Sequence, residues 1–176
     1  SVWPLLCRRP IRGQPMNAPA SPPRKAALSA RLFHFWLRLS RPMTLGMRGV
    51  VYDAENHAVF LVRHTYVKGW HFPGGGVEPG ESTEAALSRE LVEEGNIEIL
   101  ERPILRSFHF NRMASNRDHV AVYLITGFRQ THPHVPDREI AEARFFPLDA
   151  LPDGTSDGTR RRIAEIFDNA PVSDEW

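Results

Sequence analysis

The chain has 176 residues, of which 41% are hydrophobic and 24% charged, at a formal net charge of +1. That is enough length and apolar content for one domain with its own core, and it excludes a wholly disordered chain. A single cysteine, Cys7, excludes an internal disulfide framework, and no apolar run approaches the roughly 18 residues of a membrane span.

The charge is unevenly divided. Residues 1–52 carry nine basic residues and no acid, which leaves 13 of the 22 basic residues against all 21 acids, a balance of −8. A basic leader therefore precedes an acidic body. In residues 1–25, Pro10, Pro15, Pro19, Pro22 and Pro23 interrupt any periodic pattern, and the stretch reads as disordered. An acid-free, arginine-rich leader also has the composition of an organelle transit peptide, the alternative to the cytoplasmic location expected of the body. Met16 and Met43 are both candidate initiators.

Residues 26–42 read as an amphipathic helix. Leu28, Leu32, Phe35, Trp36 and Leu39 recur at helical spacing, and Pro42 stops it. Such a stripe packs on the domain or on a partner subunit, so a homodimer is an expectation. Arg31 and Arg38 beside the stripe would also suit a membrane surface.

Residues 43–170 hold the compact domain, and residues 171–176 form a tail. Strands are expected at Met47–Asp53 and Ala58–Arg63, paired across the turn at residues 54–57, and a short third strand at Trp70–Phe72. A helix follows over Ser82–Glu94, capped by Ser82 or Thr83. Ser107–Asn111 and His119–Phe128 read as strands. The second is apolar almost throughout, as in a strand covered on both faces. Glu142–Phe146 is the last strand and Ser156–Asn169 a closing helix. Strands interspersed with a few helices make an α/β sandwich.

The chemistry concentrates between Gly74 and Ile97. Glu90, Glu93 and Glu94 stand at i, i+3 and i+4, so a helix places them on one face. Crowded carboxylates repel one another, and a hard, oxygen-preferring divalent cation relieves the repulsion. The bland alternative is a solvated acidic face. Against it stand Leu87 and Leu91, which bury one side of the helix, and Arg89, which can orient a carboxylate. A glycine-rich loop also leads into the helix, where backbone can approach phosphate or metal closely.

This stretch resembles the Nudix box, G-x5-E-x7-R-E-U-x-E-E-x-G-U with U aliphatic. Gly75, Glu81, Arg89, Glu90, Leu91, Glu93, Glu94 and Ile97 match it, eight of nine fixed positions. The departure is Asn96 in place of the last glycine. Asparagine is the next best residue for the left-handed helix cap required there, so the cap is expected to survive.

The resemblance implies a Nudix-type α/β/α sandwich around a mixed β-sheet, with the 26–42 helix as an N-terminal addition. It implies hydrolysis of a diphosphate linkage in a nucleoside diphosphate joined to another group. Glu90, Glu93 and Glu94, with the Gly74 carbonyl, would hold Mg²⁺ or Mn²⁺. Arg89 would orient a glutamate, and Glu81 would brace the loop–helix junction or reach the metal through water. The general base stands open between Glu90 and Glu139, the latter in the loop before the last strand.

Outside the box, Arg63 and His64 end a strand near the site, and His71 leads into the loop. Arg106, His109, Arg112 and Arg117 form a basic stretch with Phe108 and Phe110. Of these, Arg63, His71, Arg106 and Arg112 are the candidate substrate contacts. His132 and His134 lack a third ligand nearby and read as a loop. The acidic body argues against stable nucleic-acid binding, leaving a small nucleotide-like diphosphate as the expected partner. A different class of function, nucleotide sensing without turnover, would fit a box that had lost carboxylates, and this box keeps them. An isoprenoid diphosphate isomerase would want a cysteine in the core, whereas Cys7 lies in the leader.

Overall fold

The computed structural model describes residues 43–176. The leader and the helix expected over residues 26–42 lie outside the described residues.

The chain opens with an antiparallel pair, β1 (Thr44–Asp53) and β2 (Ala58–His64). Its turn is built by Asp53, whose Oδ1 accepts the backbone N–H groups of Glu55 (3.0 Å) and Asn56 (3.2 Å), an aspartate-nucleated turn. Then come α1 (Thr83–Gly95), β3 (Ile97–Ile99), β4 (Ile104–Phe110), β5 (Asp118–Ile125), β6 (Phe128–Gln130), β7 (Ile140–Pro147) and α2 (Asp157–Phe167). Five strands form one mixed sheet in the order β4-β5-β1-β2-β7. β1 and β5 run parallel, and the other neighbours are antiparallel. β3 and β6 form a separate two-stranded sheet.

Both faces of the main sheet are covered, as in an α/β/α sandwich. On one face Met47, Val51, Phe60 and Val62 pack with Leu87 and Leu91 of α1. On the other, Val50, Val59, Leu61 and Val122 pack with Phe72 and Ile163, the latter from α2. Two-sided cover explains why β2 and β5 read as nearly continuous apolar runs. Leu87 and Leu91 are fully buried, each contributing roughly 2 kcal/mol by removal from water.

Helix α1 is closed at both ends. The Ser82 hydroxyl accepts the Ala85 N–H at 3.2 Å. Asn96 adopts the left-handed conformation (φ 52°, ψ 38°) and donates to the last turn's carbonyls, so the one departure from the box keeps the cap.

Two expected strands differ. Trp70–Phe72 is not a sheet strand: His71 bridges to Val62 and Trp70 to Thr155. It lies between Gly69 (φ 94°) and Gly74 (φ 136°), whose backbone turns leave no room to propagate a ladder. The run expected over His119–Phe128 stops at Ile125. The Gly127 carbonyl accepts from Leu100 and Glu101, and the chain redirects into β6 against β3. β3 itself is three residues long, too short to show a period. Among the described residues, no helix is long and apolar enough to cross a membrane.

Candidate active site

The loop between β2 and α1 is hydrogen-bonded along β1 before it reaches the helix. Gly49 donates to the Pro73 carbonyl and Met47 to the Gly75 carbonyl, both at 2.9 Å. Gly74 sits at φ 136°, and a Cβ there would stand 2.2 Å from the Met47 carbonyl oxygen. Only glycine fits. At Gly75 the obstacle is different: a Cβ would meet Glu90 Oε1 at 2.2 Å. The loop thus lies against the carboxylate face of α1, and the Gly74 N–H donates to Glu94 Oε2 at 2.8 Å.

Arg89 ties this face together. Its Nε and Nη2 each reach a Glu81 oxygen at 3.2 Å, and its Nη1 reaches Glu90 Oε1 at 2.8 Å and Glu93 Oε2 at 3.5 Å. The bidentate bond to Glu81, then that to Glu90, holds the guanidinium well above its ordinary pKa, and the same bond holds the Glu81 carboxyl below its own. Glu81 also accepts the Glu78 N–H at 3.2 Å, so it braces the loop–helix junction.

Glu94 is the buried member, 4% exposed. Burial pushes its carboxyl from 4.5 up to about 8, against the Gly74 N–H and Arg48, which pull it down. His64 Nε2 lies 3.7 Å from Glu94 Oε1, with both side chains buried. Burial also lowers the His64 pKa. Burial thus disfavours the charged form of both partners of this contact.

A cleft of about 780 Å³ opens over the loop, lined by Arg48, His64, His71, Gly74–Gly76, Glu90, Glu94, Glu139 and Trp176 among others. A second groove of about 300 Å³ is lined by Glu90, Glu93, Glu94, Asp137 and Glu139. Three carboxylates are common to both, and Glu93 joins them from the groove side. Glu139 is exposed. Its loop is pinned by Asp137 Oδ1, which accepts the N–H groups of Glu139 (2.8 Å) and Ile140 (2.7 Å). Its carboxylate accepts from the Tyr66 hydroxyl at 3.3 Å.

Of the four candidate substrate contacts, His71 lines the cleft. Arg63 pairs with Glu142 at 3.0 Å and lies over the Trp70 ring. A register shift between Arg63 and His64 puts His64 in the cleft instead. Arg112 pairs with Glu175 at 3.5 Å, and its neighbours Asn111 and Met113 line the wall. Arg106 is exposed on β4, away from the cleft lining.

Arg48 was not singled out in the sequence, where it reads as the last charge of the basic leader. It is half-buried at the cleft, donates to the Gly74 carbonyl, and faces Glu94 and Glu90. Burial lowers its pKa, and those two acids oppose the shift. Its signal was a lone arginine inside the apolar run of β1.

Among the described residues, no three His, Cys, Asp or Glu side chains are gathered into a closed metal-binding cluster. The donor chemistry nevertheless fits a hard divalent cation. Glu90, Glu93 and Glu94 offer oxygens only, and all three line one groove.

A model of the NUDIX domain matches residues 43–167. An RNA pyrophosphohydrolase from Nitrobacter winogradskyi is 40% identical over 60 residues, 34% of each chain. A second RNA pyrophosphohydrolase, from Sulfurovum sp., is 36% identical over 93 residues, 50% of this chain and 57% of that one. The chain thus spans between a third and just over half the length of these curated relatives. Among solved structures, the MutT NUDIX hydrolase from Burkholderia pseudomallei superposes with a TM-score of 0.62 at 24% identity, covering 72% of this chain and 99% of that one. That likeness shows the fold.

Proposed function

Because this chain belongs to the NUDIX family, we propose that it hydrolyses the diphosphate linkage of a nucleoside diphosphate joined to another group. The observation that carries the reading is the convergence of Glu90, Glu93, Glu94 and Glu139 on one groove beside the Gly74–Gly76 loop.

Glu90, Glu93 and Glu94, with the Gly74 carbonyl, would hold Mg²⁺ or Mn²⁺. A cation bound there supplies charge neutralisation for the diphosphate and acidifies water. The remaining work falls to side chains. Arg89 fixes Glu90 and Glu93 from behind. Arg48 offers guanidinium donors to phosphate oxygens at the cleft.

Glu139 takes the proton of the attacking water as general base. Glu90, the other candidate, is already engaged by Arg89 at 2.8 Å. Glu139 faces the same space from an exposed loop, holding only the Tyr66 hydroxyl at 3.3 Å among these contacts.

The test is a panel of nucleoside-diphosphate conjugates with Mg²⁺ or Mn²⁺, reading monophosphate release. A 5′-triphosphorylated oligoribonucleotide belongs in the panel, since the two curated relatives above are named for RNA. Glu93→Gln and Glu94→Gln are expected to abolish turnover while the fold persists. Full activity in both variants would overturn the reading.

A further inference from the structure

Three side chains that hydrolysis does not use, those of Arg162, Glu165 and His109, converge on residues 173–176. Arg162 and Glu165 form a buried pair at 2.5 Å, with side chains 0% and 6% exposed. Removing two charges from water is costly unless their remaining donors and acceptors are also satisfied. Here one donor and one acceptor turn to main chain, while the buried Arg162 Nε has no hydrogen-bond partner among the described residues. Arg162 Nη1 donates to the Glu175 carbonyl at 3.3 Å, and Glu165 Oε1 accepts the Ser173 N–H at 3.0 Å. From β4, fully buried His109 reaches the Ser173 carbonyl through Nδ1 at 2.7 Å. Phe110 then exchanges hydrogen bonds with the segment, donating to Asp174 (2.8 Å) and accepting from Trp176 (3.0 Å). The buried pair therefore fixes the register of this segment against β4.

That register seats one ring. The Trp176 indole lies under the Arg162 guanidinium (5.5 Å to the ring centre) and edge-on to His109 (6.0 Å). Gly158 makes room for it: a Cβ there would stand 2.7 Å from the indole nitrogen. Half-buried Trp176 packs against the core on the α2 side and lines the same cleft as the Gly74–Gly76 loop and Arg48. Other large apolar groups on the cleft are not held this way. Met113 is 93% exposed, and the Tyr66 hydroxyl is tied to Glu139. A ring fixed before binding loses little freedom when a ligand stacks on it.

We propose that Trp176 is a specificity-determining residue, the surface on which the cleft takes the nucleobase of its substrate. Arg162, Glu165 and His109 are positioning residues that hold it there. This rests on the cleft being the diphosphate site, and it names the group the cleft selects.

The full chain is titrated by calorimetry, with Mg²⁺, against the α,β-methylene analogues of ADP, GDP, UDP and CDP and against methylenediphosphonate, which has no ring. At least one nucleotide analogue is expected to bind about tenfold or more tighter than methylenediphosphonate, the scale of one base–aromatic stack. Trp176→Leu keeps apolar volume in the seat and should erase that preference, leaving methylenediphosphonate affinity within about twofold. Trp176→Phe should keep most of it. No preference in the parent protein, or an unchanged preference or equal losses for both ligand types in Trp176→Leu, would overturn the proposal. Parallel hydrolysis assays separate the two readings. Turnover without a Trp176-dependent preference sinks this inference alone. A Trp176-dependent preference without turnover sinks the hydrolase reading alone.

Discussion

Glu90 and Gly75 share one space: the Glu90 carboxylate reaches to within 2.2 Å of where a Cβ on residue 75 would stand. The backbone of Gly75 is not in the left-handed region, so alanine is conformationally allowed there and the conflict is purely steric. Gly75→Ala is expected to push Glu90 away from Arg89 and lower kcat/KM by about 10–100-fold, as for a lost ligand-orienting contact. The thermal midpoint should change little. Gly74→Ala faces both a positive φ and the Met47 carbonyl, so it should unfold the protein at a clearly lower temperature. Equal melting losses for the two variants would contradict this division.

Arg89 is the hub for three glutamates. Arg89→Lys keeps the charge but loses the planar fork that grips Glu81. Mg²⁺ titrations of activity should show the half-saturating concentration rising by about 10-fold or more in this variant. A lysine enzyme with parental Mg²⁺ dependence would show that charge alone suffices.

Glu94 links stability to pH. Its carboxyl moves from 4.5 to about 8 on folding without a cation. An acid with a raised folded pKa binds more protons folded than unfolded between those values. Stability from this group is therefore fully present below about 4.5 and is lost progressively as pH rises to about 8. Urea unfolding in EDTA across that window should show a decline, and Glu94→Gln should flatten it. Added Mg²⁺ should restore most at the alkaline end. Parallel pH profiles for the parent and Glu94→Gln would refute the assignment.

Glu139 is the proposed general base. Glu139→Gln should lower kcat by about 10²–10⁴-fold, the usual range for a general base. Unlike changes in α1, it should leave the Mg²⁺ dependence of stability intact. A loss confined to KM would instead place Glu139 in substrate contact.

The box was legible because its logic is local. Helical spacing alone places Glu90, Glu93 and Glu94 together, and the left-handed cap at Asn96 depends on a single residue's conformation. The other half of the cleft depends on distant pairing. Arg48 sits between Met47 and Gly49 in an apolar run, and only the bonds from those neighbours to Gly75 and Pro73 bring it beneath the loop. The choice of His64 over Arg63 turns on a register shift that no alternation pattern reveals. Trp176 looked like part of a tail because its seat is made by residues from β4 and α2.

The parallel ladder of β1 with β5, which sets Thr44 beside Asp118, also governs how the site comes into being. Closing that pair gathers a loop of more than 70 residues, with the entire box inside it. Nearly all the carboxylates and the glycine loop are local to the enclosed stretch, but Arg48 is delivered by the closing strand itself. Non-local closure of this kind slows folding. Catalytic competence should accordingly appear in a single late step of refolding, together with the sheet, and never in fragments that end before β5.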